Sequence, residues 1–164
     1  MDRLDKLILE MIEFDKGDPR RIQHLFKVHQ FARIIGVLEG LNSDQMEILE
    51  AAAIVHDIGI KIAREKHGDS NGKLQEVEGP PYAKEMLNKL GYKESVIDRV
   101  CFLVGHHHTY TNIEGIDYQI LVEADFLVNL YDHNTDIDAI KKTCDNIFKT
   151  KSGIEICYKM FGLN

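Results

Sequence analysis

The sequence predicts an all-α domain. Apolar residues recur at helical spacing through every long segment. Those segments are bounded by Asp, Asn, Ser, Pro and Gly at the positions helix ends require. Strand-like alternation of apolar and polar residues is absent throughout. A chain of 164 residues is long enough to bury a sizeable core as a single domain spanning residues 1–164.

The elements follow in order. Leu4, Leu7, Ile8, Met11, Ile12 and Phe14 make the first sixteen residues an amphipathic helix. Gly17-Asp18-Pro19 ends it and starts a second, with Asp18 able to cap and Pro19 suited to the first helical position. The second helix is expected to run to about Leu38, with Ile22, Leu25, Phe26, Val28, Phe31, Ala32 and Ile35 as its apolar stripe. Asn42 or Ser43 caps a third, which ends in the stretch Ala51 to Ile60. Residues 61–66 suit a short helix. From His67 to Pro81 the glycines, prolines, serine and asparagine predict the longest loop of the chain. Helices are expected from about Pro81 to Leu90 and from Glu94 to about Gly105, the latter followed by His106-His107-His108. A strongly apolar helix over Tyr118–Tyr131 comes next, then a long one from Ile137 to about Lys151, with a short one after Gly153.

Composition narrows the class of function. The net charge of −7, with no basic block to offset it, argues against a nucleic-acid backbone as the main partner. Cys101, Cys144 and Cys157 are far apart and odd in number. They fit reduced thiols of a cytoplasmic protein rather than a disulfide scaffold or zinc knuckle. No signal peptide is expected from the charged start Met1-Asp-Arg-Leu-Asp, and no uncharged apolar run reaches membrane-spanning length, so no membrane partner is expected.

Chemistry concentrates where polar residues interrupt apolar helices. In Ala51–Ile60, eight of the ten residues suit a buried helix and its exit turn; the others are His56 and Asp57. A carboxylate in such a setting is costly unless paired, hydrogen-bonded or bound to a cation, and imidazole with carboxylate suits a divalent metal. Taken alone, the stretch also fits a helix C-terminus where His56 bonds to free carbonyls, Asp57 faces water and Gly59 terminates. Asp125 poses the problem more sharply, because Leu121, Ala124 and Val128 surround it at helical spacing. Glu123 carries the same tension unless it reaches a polar edge. His24 and His29 lie on or beside the apolar face of the second helix, a position that a core histidine with one hydrogen bond also occupies. Three consecutive histidines after the Glu94 helix exceed what capping needs, though only one or two of them can face the interior. No nucleophile elbow, Gly-rich phosphate loop, dinucleotide fingerprint or His-Glu-x-x-His sequence is present.

His24, His56-Asp57 and Asp125, on successive predicted helices, resemble the HD-domain superfamily of metal-dependent phosphohydrolases. His56-Asp57-Ile58-Gly59 is the common form of its central doublet. Arg20 or Arg21 followed by His24 and Val28 resembles its first-histidine helix, and Glu123-Ala124-Asp125 its last-aspartate helix. The resemblance covers roughly residues 18–131 and leaves the helices of 136–164 outside the motif-bearing core.

The resemblance implies an HD-type helical bundle with a divalent metal held by His24, His56, Asp57 and Asp125. Manganese, iron, cobalt, nickel, magnesium and zinc all suit such ligands. His106-His107 resembles the paired histidines of subfamilies with a second metal. The remaining histidine of those subfamilies has no counterpart here, which makes Glu76 the candidate replacement, with Glu78 and His67 as lesser ones, and leaves one metal or two open. Lys61 lies one place beyond a lysine of some members, so it carries no catalytic role; with Arg20 and Arg21 it is a candidate phosphate partner by charge and proximity in sequence. The sequence His-Thr-Tyr-Thr after the histidines departs from the pattern of cyclic-di-GMP phosphodiesterases. The expected function is metal-dependent hydrolysis of a nucleotide or other small phosphoester, with Asp57 and Asp125 as catalytic residues. A di-iron oxygenase and a non-catalytic nucleotide-sensing module are the alternatives.

Overall fold

Helix boundaries fall where capping side chains put them. A computed structural model describes all 164 residues as nine helices and no strand. Asp2 and Asp5 form a capping box ahead of α1 (Arg3–Phe14), and Asp18 caps α2 (Pro19–Leu38) through the Arg21 amide with Pro19 in its first turn. Asn42 and Gln45 form a second box ahead of α3 (Ser43–Val55). Then come α4 (Gly59–His67), closed by Gly68 in the left-handed region, α5 (Gly72–Lys89), capped by Asn71, and α6 (Glu94–Val104). The chain ends with α7 (Ile116–Asp132), α8 (Ile137–Ile147) and α9 (Lys151–Phe161).

One cluster of 33 buried apolar residues draws on α1, α2, α3, α5, α6, α7, α8 and α9, so the helices share a single core. Its centre is α3, which packs on α1, α2, α6 and α7. Ala51, Ala52 and Ala53 are fully buried there; their small side chains let the surrounding helix axes come close. No helix is long and apolar enough to cross a membrane.

Two stretches depart from the sequence expectation. The predicted loop His67–Pro81 is mostly helix, because α5 begins at Gly72 and continues through Pro80 and Pro81. Gly79 is there for close approach rather than for a turn. A Cβ added at Gly59 would lie 2.5 Å from the Gln75 carbonyl oxygen and 2.9 Å from the Gly79 nitrogen, and one added at Gly79 would lie 2.7 Å from Val104 Cγ1. So α4 crosses α5 backbone to backbone, and α5 stays helical between α4 and α6 despite the two missing amide donors.

The second departure is the expected long helix from Ile137, which breaks at Phe148 into α8 and α9. The cause is Glu123 of α7. Its buried carboxylate accepts the amides of Lys149 at 2.6 Å and Thr150 at 2.9 Å, and the Thr150 hydroxyl at 2.7 Å, while Thr150 caps α9 through the Gly153 amide. This resolves the tension around Glu123: three donors satisfy an acid in the core. Burial still pushes its pKa up against the lowering bonds from Thr150 and Lys149.

Glu123→Ala leaves those amides without their acceptor and is expected to cost about 3 kcal/mol. Gly59→Ala forces two backbones apart and is expected to cost about 2 kcal/mol or more. Urea denaturation followed by circular dichroism checks both, and a loss under half of either figure contradicts the contact named.

Candidate metal centre

Four side chains meet where α2, α3 and α7 come together. His24 enters from the inner face of α2, His56 and Asp57 from the end of α3, and Asp125 from the middle of α7. His24 Nε2 lies 3.2 Å from His56 Nε2, 3.1 Å from Asp57 Oδ2 and 3.2 Å from Asp125 Oδ1. His56 Nε2 lies 3.5 Å from each of the same two carboxylate oxygens. A cation with ligands at about 2.1 Å sets neighbouring ligand atoms about 3.0 Å apart in an octahedron and about 3.4 Å apart in a tetrahedron. The spacing of His24, His56 and Asp57, whose ligand atoms lie within 4.8 Å of one another, therefore suits a small divalent ion, with Asp125 Oδ1 close to both imidazoles, and the side chains of Asp57 and Asp125 are only 14% and 6% exposed.

Hydrogen bonds around these groups turn lone pairs inward. His56 Nδ1–H donates to the Ala53 carbonyl at 2.8 Å, which turns Nε2 toward the cluster and His24 Nε2. Asn129 Nδ2–H donates to Asp125 Oδ1 at 2.9 Å, and Arg21 donates to Asp57 Oδ2 at 2.7 Å. His24 lacks such support, since its Nδ1 is buried with no partner. Burial disfavours a charged His24, yet hydrogen bonds to Asp125 and Asp57 outweigh it and raise its pKa to about 9. Burial also works against ionised Asp57 and Asp125. The neighbouring imidazoles, His56 and His107 with His24 for Asp57, and His24 and His56 for Asp125, hold both below the usual carboxylate range.

A second group forms on the other oxygen of Asp57. Asp57, His107 and His108 bring ligand atoms within 4.8 Å of one another, and His107 Nε2 lies 3.4 Å from Asp57 Oδ1. His107 Nδ1–H donates to the Val104 carbonyl at 2.8 Å, and its Nε2 is buried with no hydrogen-bond partner. An orphaned lone pair aimed at a carboxylate is the arrangement a cation would satisfy. His108 is held differently: its Nε2 meets Gln75 Oε1 at 2.8 Å and its Nδ1 meets the Tyr110 hydroxyl at 3.3 Å. Burial and then His107 lower the His108 pKa to about 4, so it is neutral.

Several expected residues lie elsewhere. His106 turns away, its Nδ1 bonded to the Phe102 carbonyl at 2.6 Å and its ring stacked on Phe102. Glu76 accepts from Thr109 Oγ1 and does not join the group around Asp57. His108 stands where those two were expected. Lys61 donates to the Phe14 carbonyl over the Phe14 ring, because its place on α4 points it at the end of α1. Glu78 pairs with Lys66 and His67 at the surface, and His29 bonds Glu50.

Arg20 and Arg21 do line the cavity above the cluster, which encloses about 440 Å³ together with Asp18, Asp57, Ile60, Arg64, Ser70, Gln75, His108, Asn129 and His133. Arg64, Asn129 and His133 had a signal in the sequence. Ile60 and Arg64 are four apart on α4, and Asp125 and Asn129 are four apart on α7, so each pair shares a helix face, with Asp57 and His133 at helical spacing in the turns that adjoin them.

A family model described as HD domain matches residues 21–145, a span that contains His24, His56, Asp57, His107, His108 and Asp125. Among solved structures the chain is similar to the crystal structure of a predicted HD superfamily hydrolase from an uncultured Thermotogales bacterium. The TM-score is 0.71 at 23% identity, over 96% of this chain and 84% of that chain. At that identity the likeness is one of fold. No curated protein matches the sequence.

The two groups around Asp57 separate the histidines in a metal analysis. His56→Ala and Asp57→Ala are expected to abolish bound metal while keeping helical circular dichroism, whereas His106→Ala retains the wild-type content. Elemental analysis after incubation with manganese, iron or zinc decides. Wild-type metal content in either of the first two variants contradicts the site.

Proposed function

The chain belongs to the HD domain family of metal-dependent hydrolases, and on that premise we propose that it hydrolyses a small phosphoester, a nucleotide or a sugar phosphate, at a centre held by His24, His56, Asp57 and Asp125. The observation that carries this reading is the approach of Asp57 Oδ2 and Asp125 Oδ1 to within 3.1 to 3.5 Å of the Nε2 atoms of His24 and His56, beneath an arginine-lined cavity. A cleft that joins a cation site to guanidinium donors suits a phosphoryl group, which needs its charge neutralised from more than one side.

A divalent ion held there supplies a Lewis acid for a phosphoryl oxygen and a bound water of lowered pKa. The residues of the chain do the rest. Arg21 spans the boundary: one guanidinium nitrogen fixes Asp57 Oδ2, while the residue also lines the cavity and its remaining N–H groups make no other hydrogen bond, which leaves them for a phosphoryl oxygen. Asn129 fixes the rotamer of Asp125 through Oδ1. The Nδ1–H bonds of His56 and His107 to backbone carbonyls hold both rings with Nε2 toward the carboxylates. Asp57 presents Oδ2 to one group and Oδ1 to the other, so it would serve both if a second ion were held beside His107 and His108.

Asp125→Asn tests the reading. It keeps the size of the side chain and is cheaper to bury than the ionised acid, so the fold is expected to survive while metal affinity falls and turnover drops at least about a hundredfold. The assay covers nucleoside mono-, di- and triphosphates, sugar phosphates and an aryl phosphate with manganese, iron, cobalt, nickel, magnesium or zinc. Asp125→Asn as active as wild type shows the site to be misassigned. Wild type inactive on every substrate with its metal bound ends the phosphohydrolase reading in favour of a di-iron oxygenase or a nucleotide sensor.

A further inference from the structure

The cavity wall beyond the ligands is polar and basic. Of its eleven lining residues one, Ile60, is hydrophobic, and none is Phe, Tyr or Trp. Three are arginines, and their donors are largely uncommitted. The Arg20 side chain makes no hydrogen bond or ion pair within the protein, and Arg64 commits only Nε, to Ser70 Oγ at 3.2 Å. Arg21 commits one terminal nitrogen to Asp57. The acids on the wall are engaged already: Asp57 belongs to the metal group, and Asp18 Oδ1 caps α2 through the Arg21 amide at 3.1 Å. The imidazoles are the only rings. That of His108 has His107 against it, at 4.0 Å between centroids, and both its nitrogens are occupied.

A nucleobase is recognised by aromatic or apolar faces with a few edge-on polar groups. Beyond Ile60 and the rings of His108 and His133 this wall offers no such face, but it offers two guanidinium groups more than one phosphoryl group at the metal centre requires. Arg21 already serves that group. Arg20, at the start of α2, and Arg64, on α4, remain for a second anion.

We propose that this cavity selects substrates carrying a second phosphate, bound by Arg20 and Arg64, and does not read a base. The proposal rests on the phosphohydrolase reading for its turnover assay, but not for its binding assay. The substrate class is a compact bisphosphate such as a sugar bisphosphate. A nucleotide enters by its phosphates alone.

The test compares ribose 5-phosphate, ribose 1,5-bisphosphate, AMP and adenosine 3′,5′-bisphosphate on the metal-loaded wild type and on Arg20→Gln, Arg64→Gln and the double variant. Both side chains are exposed, so the substitutions remove charge without removing core packing. In the wild type the second phosphate is expected to raise kcat/KM about tenfold or more, the worth of one charge-assisted hydrogen bond, while adding adenine changes it less than about threefold. In the double variant the bisphosphate-to-monophosphate ratio falls toward one. Calorimetric binding of ribose 1,5-bisphosphate and ribose 5-phosphate to the same proteins gives the same ratio without turnover. If nothing is hydrolysed yet the binding ratio holds and collapses in the double variant, the phosphohydrolase reading fails and the bisphosphate pocket stands. Equal binding of mono- and bisphosphate by wild type, an undiminished ratio in the double variant, or a tenfold preference for the adenosine compounds overturns the proposal.

Discussion

Two carboxylates in the middle of an apolar core set the terms for this fold. Asp57 and Asp125 reach the same point from α3 and α7, and each is nearly enclosed. Left unpaired, ions so placed would cost several kcal/mol apiece. Without a metal, the balance is met by His24, whose pKa they raise, and by Arg21 and Asn129. A divalent cation held there would take over that role with more charge in less space. This explains why α2, α3 and α7 must pack as they do: each contributes at least one member of a group whose parts are costly separately and compatible only together.

The other side of the centre depends on how closely α4 and α5 cross. Gly59 follows the His56-Asp57 pair by two residues and meets the backbone of Gln75 and Gly79. That approach brings Gln75 within reach of His108, since its side chain bonds Ser70 with one end and His108 with the other. A larger residue at Gly59 would move Gln75 and, through it, the ring of His108. The glycine that ends α3 in the sequence pattern thus acts on the cavity wall as well as on the turn, and α5 runs through two prolines because its position between α4 and α6 is worth more than the lost donors.

Much of this was readable from residue pattern, and the unread parts have physical reasons. Asp57 and Asp125 stood out because acids on apolar helix faces have few affordable explanations, whereas His24 and His56 alone also fit core and helix-end histidines, and it was the resemblance to the HD pattern that joined the four. The helix ends at Pro19 and Ser43 were readable from their caps. Gln75 was hidden because glycine and proline serve turns and close helix crossings alike, and a single sequence does not show which. The choice among His106, His107 and His108 was hidden because Gly105 to His108 form turns rather than helix, so helical spacing no longer says which side chain faces inward. Tyr118 sets their path by donating to the carbonyls of His106 and Thr109, a contact between residues whose pairing no local pattern announces. Lys61 and Arg64 share α4 and a charge, yet only Arg64 is in register with Asp57 and Ile60.

The two groups around Asp57 differ in readiness, and the difference lies in hydrogen bonds. At the first, His56 already turns Nε2 to the cluster, where its partner is another prospective ligand, His24 Nε2. At the second, His107 is equally prepared, but both nitrogens of His108 are taken, by Gln75 and Tyr110. An ion entering there must either break the Gln75 bond or accept one imidazole and one carboxylate oxygen from the protein and fill its remaining positions with water or substrate. The first course costs a buried hydrogen bond, and the second leaves positions open to a phosphoryl oxygen. Either way a second ion would bind more weakly than the first and would depend more on what occupies the cavity. Gln75, a residue with no charge, therefore bears on how many ions this centre holds.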